Sequence, residues 1–105
     1  MQFLYQFGPG DRPELVTNPD AWTDEDDHVA AEHYERLRQA TEDGKVLLAG
    51  LSTDGRGPAV VIFEAASEAA ARHFMEDDPF VRNGLFTATL HPFRASLVRG
   101  EDTSA

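Results

Sequence analysis

Two apolar runs joined by a short polar turn constrain this chain more than any other feature. KVLLAGL (residues 45–51) and PAVVIFEA (58–65) flank STDGRG (52–57). Both runs have strand length, and the glycine-bearing turn between them suits a tight reversal, so the pair predicts a β-hairpin. Neither run alternates between apolar and polar residues. A sheet that carries helices on one face only should show polar residues toward water on the other. The missing alternation implies a covered second face. The simplest cover is the same face of another copy, packed across a two-fold axis, so a homodimer joined sheet to sheet is expected.

The remaining segments fall around this hairpin. MQFLYQF reads as a first strand that breaks at Gly8-Pro9-Gly10. Residues 8–22 contain prolines and no clear period, and predict a loop long enough to suggest a functional role. TDEDDHVAAEHYERLRQATEDG predicts a helix. Thr23 with Asp26 forms a capping-box pattern, acids fill the first turn, and Gly44 stops the chain. Its inward stripe is Val29, His33, Leu37 and Ala40, flanked by Ala30 and Tyr34. SEAAARHFMED predicts a second helix with Ser67 as N-cap and Ala66, Ala69, Ala70 and Phe74 facing inward. LFTATLHPFRASLV predicts a last strand, bent or bulged at His91-Pro92 because proline cannot donate to a ladder. The order β-α-β-β-α-β is the ferredoxin-like α+β plan, an antiparallel sheet with two helices on one face. One domain over residues 1–98 and a flexible tail over 99–105 are expected.

Charge and composition exclude several functions. A formal charge of −10 with only nine Lys and Arg leaves no basic stripe for nucleic acid or for anionic lipid. The chain has no cysteine, which removes disulfides, thiolate catalysis and Cys-ligated zinc. The N-terminus lacks the basic and apolar regions of a secretion signal, and no apolar run is long enough to span a bilayer, so a cytoplasmic protein is expected.

The chemistry therefore rests on histidines and carboxylates. His33 lies on the apolar stripe of the first helix, four residues from both Val29 and Leu37, and so points toward the sheet. An imidazole there is either a histidine satisfied at the edge of the core or a general acid–base, since its ordinary titration falls near neutrality. In EDDPFVRNG, Pro79 ends the preceding helix at Asp78. Asp78 reads as the N-cap of a following short turn, with Pro79 at its first position and Gly84 after its end. A carboxylate has two oxygens, so one can cap while the other holds an imidazole N–H. Glu76 and Asp77 read as solvated charges, His28 as exposed, and His73 as surface or rim; the pattern does not decide the side on which His91 lies. Glu32 follows His28 by four residues but no third ligand is indicated, so neither a metal nor a cofactor is expected. Tyr5, Ser52 and Phe80 are candidates to line a substrate pocket, with core or turn roles as the competing reading.

EHYERLRQATEDGKVLLAG, followed by TDGRGPAVVIFEAASEAAARHFMEDDPFVRNGLF, resembles the YCII-related (YciI-like) family. The carrying residues are His33, Leu37, Gly44 and Gly50, then Asp78, Pro79, Phe80 and Gly84. The resemblance implies a ferredoxin-like dimer forming an α+β barrel. It also implies an active-site dyad, with His33 as acid–base and Asp78 as its orienting partner. One type of family member eliminates chloride from a chlorinated hydroxyhydroquinone. Two departures stand out: Leu51 occupies a place where the family often has proline, and residues 8–22 have no firm counterpart.

Three functions follow as expectations. The first is a small-molecule enzyme, in which His33 oriented by Asp78 drives elimination, isomerisation or hydrolysis of a compact, aromatic substrate. The second is a metabolite-binding or regulatory module that uses the same cavity without turnover. The third is a structural dimer whose dyad locks helix to sheet.

Overall fold

The structure, a computed structural model, describes residues 1–100; of the expected tail, residues 101–105 lie outside the described residues. Four strands, β1 (Gln2–Pro9), β2 (Val46–Leu51), β3 (Ala59–Glu64) and β4 (Phe86–Phe93), form one antiparallel sheet in the order β2-β3-β1-β4. Three helices join them: α1 (Asp24–Glu42), α2 (Glu68–Glu76) and the single turn α3 (Pro79–Arg82). This is the ferredoxin-like arrangement that the order of elements predicts. Among the described residues no helix is long and apolar enough to cross a membrane.

β1 occupies the middle of the sheet, and its alternation sorts the two faces. Phe3 and Tyr5 point toward the helices and are buried, with Val61 and Phe63 of β3 beside them. Leu37 and Ala40 of α1 and Ala71 and Met75 of α2 close this core from above. Phe63, Phe74 and Tyr5 pack ring to ring within it. On the opposite face Leu48, Ile62, Leu4 and His91 stand in one row across all four strands. Leu48 is 52% exposed, so this row leaves apolar surface open in the single chain.

Helix α1 begins as the capping-box pattern predicts. The Thr23 hydroxyl accepts from the Asp26 N–H, and the Asp26 carboxylate accepts from the Thr23 N–H. Asp26 is buried and also takes the Arg12 guanidinium, which ties the preceding loop to the helix. The loop is not featureless: Pro13–Val16 and Pro19–Ala21 each form a 3-10 turn, both opened by proline. Leu15 is buried beneath it, and Trp22 Nε1 donates to the Leu15 carbonyl at 3.1 Å.

Two expectations are corrected. The buried side of α2 is Ala71 and Met75 with half-buried Phe74, whereas Ala66, Ala69 and Ala70 are exposed. Alanine is small enough to face either way, so the larger Met75 and Phe74 set the rotation of the helix. β4 pairs with β1 without interruption from Pro9–Phe86 to Gln2–Phe93, so no bulge occurs at His91-Pro92. β4 is an edge strand, where a residue without an N–H is tolerated. The irregularity lies instead in β2, between Val46 and Leu48.

Candidate active site

Asp78 is the centre of the site. Pro79 stops α2 and opens α3, which leaves Asp78 as N-cap with its Oδ1 accepting the Phe80 N–H at 3.0 Å. The turn ends at Gly84, whose φ of +76° favours glycine. A side chain there would also collide with the Asp11 carboxylate, so this glycine lets residues 10–11 lie against the end of α3. Asp78 itself is 0% exposed. A buried carboxylate needs donors around it, and Asp78 has three.

The first donor is the N–H of the cap. The second is His33, whose Nδ1 lies 2.8 Å from the same Oδ1. With the carboxylate as acceptor, Nδ1 is the donor of this pair, and Nε2 takes no part in it. The third is Tyr5, whose hydroxyl donates to Oδ2 at 2.7 Å. Burial, then the charge of Asp78, push the Tyr5 phenol well above its ordinary value, so it stays protonated as a donor. The expected division of labour, one oxygen for the cap and the other for the imidazole, is thus corrected. Oδ1 serves both, and Oδ2 belongs to Tyr5.

Aromatic rings enclose the imidazole. Phe80 stacks on it with centroids 4.1 Å apart, and Phe7 meets it edge-on at 5.6 Å. Phe86 and Trp22 extend the cluster through Phe80 at 4.9 and 6.0 Å. The His33 side chain nonetheless keeps 17% of its surface open while Asp78 has none. Part of the imidazole therefore meets solvent, and its carboxylate does not.

The other candidates take different places. Tyr5 is fully buried and serves the hydrogen-bond network rather than a solvent-facing wall. Ser52 donates its hydroxyl to the Pro58 carbonyl within the hairpin turn and takes no part in that network. His28, His73 and His91 are all exposed, and so are Glu76 and Asp77. Among the described residues no three His, Asp or Glu side chains are grouped as a metal would require.

Two of the surface hollows have neither His33 nor Asp78 in their walls. One, of about 600 Å³, lies between loop residues such as Leu15 and Trp22 and the hairpin turn at Asp54–Arg56. The other, of about 440 Å³, lies between Asp11, Met75 and Phe86. The first adjoins the dyad indirectly, because its Trp22 packs on the Phe80 that stacks on His33.

Trp22 and Phe7 were not anticipated in the site, and Tyr5 was expected in a pocket wall rather than as a donor to Asp78. A signal exists for Tyr5: Phe3, Tyr5 and Phe7 alternate along β1, so all three point one way, and a tyrosine buried on such a face needs a partner for its hydroxyl. Trp22 carries no comparable pattern.

The YCII-related domain family matches the chain over residues 11–93. No curated protein matches it. Among solved structures, the chain is similar to 5-chloro-2-hydroxyhydroquinone dehydrochlorinase (TftG) from Burkholderia phenoliruptrix AC1100, in complex with 2,5-dihydroxybenzoquinone. The two are 25% identical with a TM-score of 0.59, and the match covers 90% of this chain and 94% of that one.

Proposed function

The chain belongs to the YCII-related domain family, and we propose that it is a small-molecule enzyme whose reaction turns on proton transfer at His33, oriented by Asp78. The observation that carries this reading is the 2.8 Å contact between an imidazole open to solvent and a carboxylate wholly closed to it. Held in this way, neutral His33 accepts a proton at Nε2, and Asp78 stabilises the imidazolium that results. In an elimination the substrate loses that proton while its leaving anion departs with the bonding pair. No oxidant or reductant is consumed. The same residues serve isomerisation or hydrolysis. The similar dehydrochlorinase acts on a chlorinated hydroxyhydroquinone, and the aromatic rings around His33 suit a compact, planar, aromatic substrate of that class.

We propose further that the open sheet face is covered by the same face of a second copy. The row Leu48, Ile62 and Leu4 supplies the apolar centre of that contact.

The direct test is release of chloride from 5-chloro-2-hydroxyhydroquinone by the purified protein, with the His33→Asn variant beside it. The expected result is turnover that falls by about 10²–10⁴-fold in the variant while the melting temperature holds or rises. Retention of 2,5-dihydroxybenzoquinone without turnover of any such substrate would favour the binding-module reading. A large loss of melting temperature in the variant, with no ligand bound by either protein, would leave only a structural role.

A further inference from the structure

The buried hydroxyl of Tyr5 has a consequence for the proton on His33. A carboxylate buried against an imidazole has two ways to be stabilised as an anion. Either the imidazole stays permanently protonated, or other donors share the charge. A permanently cationic His33 accepts no proton and is useless as a base. Asp78 has the second arrangement. The Phe80 N–H shares Oδ1 with His33, and the Tyr5 hydroxyl, at 2.7 Å, occupies Oδ2. Tyr5 is 0% exposed, so its hydroxyl rather than bulk solvent serves Oδ2. Tyr5 also lies outside the residues over which the family matches.

The surroundings leave Tyr5 as the main tunable donor. From α1, the Arg36 guanidinium lies over the Phe74 ring at 4.2 Å and donates to the Phe74 carbonyl at 2.8 Å. Its charge favours the ionised phenol, but burial and Asp78 outweigh it. Lys45, just before β2, also lies over the Phe74 ring, at 4.9 Å. Arg82 of α3 is engaged with Glu32 of α1 at the rim, 3.9 Å apart and both exposed. The neighbouring strands β3 and β4 add only apolar side chains to this core, Val61, Phe63, Ala88 and Leu90.

We infer that Tyr5 is a positioning residue that acts through Asp78 to loosen the hold of His33 on its proton. By taking a share of the carboxylate charge, the phenol lets the imidazole return to its neutral form near neutral pH. The inference rests on the reading of His33 as the proton-exchanging group, and it assigns a role to a residue that never meets the substrate.

The test is an NMR titration of the His33 ring, run beside thermal unfolding. The Tyr5→Phe variant concentrates the charge of Asp78 on its remaining partners, so the His33 midpoint should rise by about one pH unit. The chain has only two tyrosines, Tyr5 and Tyr34, and Tyr34 is 69% exposed. Replacing both with 3-fluorotyrosine makes the Tyr5 phenol a stronger donor without removing it, and should move the midpoint down. Tyr34→Phe should move nothing. The fluorinated protein answers the question even if Tyr5→Phe does not fold. Opposite shifts in the two proteins support the inference. Midpoints unchanged to within about 0.2 pH unit, whatever happens to stability, would overturn it. That failure would leave the His33→Asn result standing, and opposite shifts in a protein without turnover would sink the catalytic reading alone.

Discussion

The ring of Phe80 lies on the imidazole of His33 with centroids 4.1 Å apart and planes inclined by 29°. Phe80 is two residues beyond Asp78, so one turn of helix holds the imidazole at its edge with a carboxylate and on its face with an aromatic ring. The edge contact fixes which nitrogen carries the proton. The face contact fixes the plane of the ring.

Phe80→Leu keeps most of the volume and removes the π-face. The expected cost in stability is below about 1.5 kcal/mol, as for other near-isosteric apolar exchanges. Turnover should fall by about 10–100-fold, because a small displacement of a catalytic group is expensive. Steady-state kinetics and a thermal melt of the same preparation check both, and unaltered kinetics would mean that the stack is packing only.

Asp78→Asn replaces the acceptor with a group that can also donate. The imidazole is then free to adopt the other tautomer, and turnover should fall by about 10³–10⁴-fold, as when the orienting carboxylate of a hydrolytic triad is neutralised. The Nδ1–H signal of His33 should shift or vanish in the NMR spectrum. Unchanged turnover would rule out an orienting role for the carboxylate.

Asp26 gives the fold a response to acid. The hydrogen bond from Arg12, then that from the Thr23 N–H, hold its carboxyl down at about 2, against an ordinary value of 3.8. A depressed folded value means that the ionised form is the stabilising one. Its contribution is complete above about pH 4 and is lost as the pH falls through about 2. Asp26→Asn should therefore melt several degrees below the parent at pH 7, with the gap closing on acidification through that window. Thermal melts at intervals between these pH values check it; a gap that did not depend on pH would assign the effect to the cap alone.

The open sheet face predicts an assembly. Ile62→Glu places a charge in the row of Leu48, Ile62 and Leu4. In sedimentation equilibrium the parent should have the mass of two chains and the variant that of one, both with the same far-ultraviolet circular dichroism. A parent that sediments as a single chain would remove the sheet-to-sheet dimer.

Much of this was readable from short stretches of chain. Thr23 and Asp26 announce the start of α1, and the spacing of His33, Leu37 and Ala40 announces its inward face. Asp78-Pro79, with Gly84 five residues beyond the proline, announces the cap and the turn. Each signal is local, a hydrogen bond or a repeat within a few residues, and owes nothing to the rest of the fold. The rotation of α2 was not readable, because its alanines are indifferent to burial and the choice fell to Met75 and Phe74 meeting the core.

Residue order alone was enough to decide the strands, the helix caps and the presence of an imidazole on a buried stripe, since these follow from side-chain period and from backbone groups that must find nearby partners. The sheet order decided the rest. Setting β1 between β3 and β4 brings Tyr5 beneath Asp78, 73 residues away, and sets Phe7 against His33. Such a meeting has no signature in either segment. It forms because a buried carboxylate cannot remain without donors, and only the folded chain supplies them at that point.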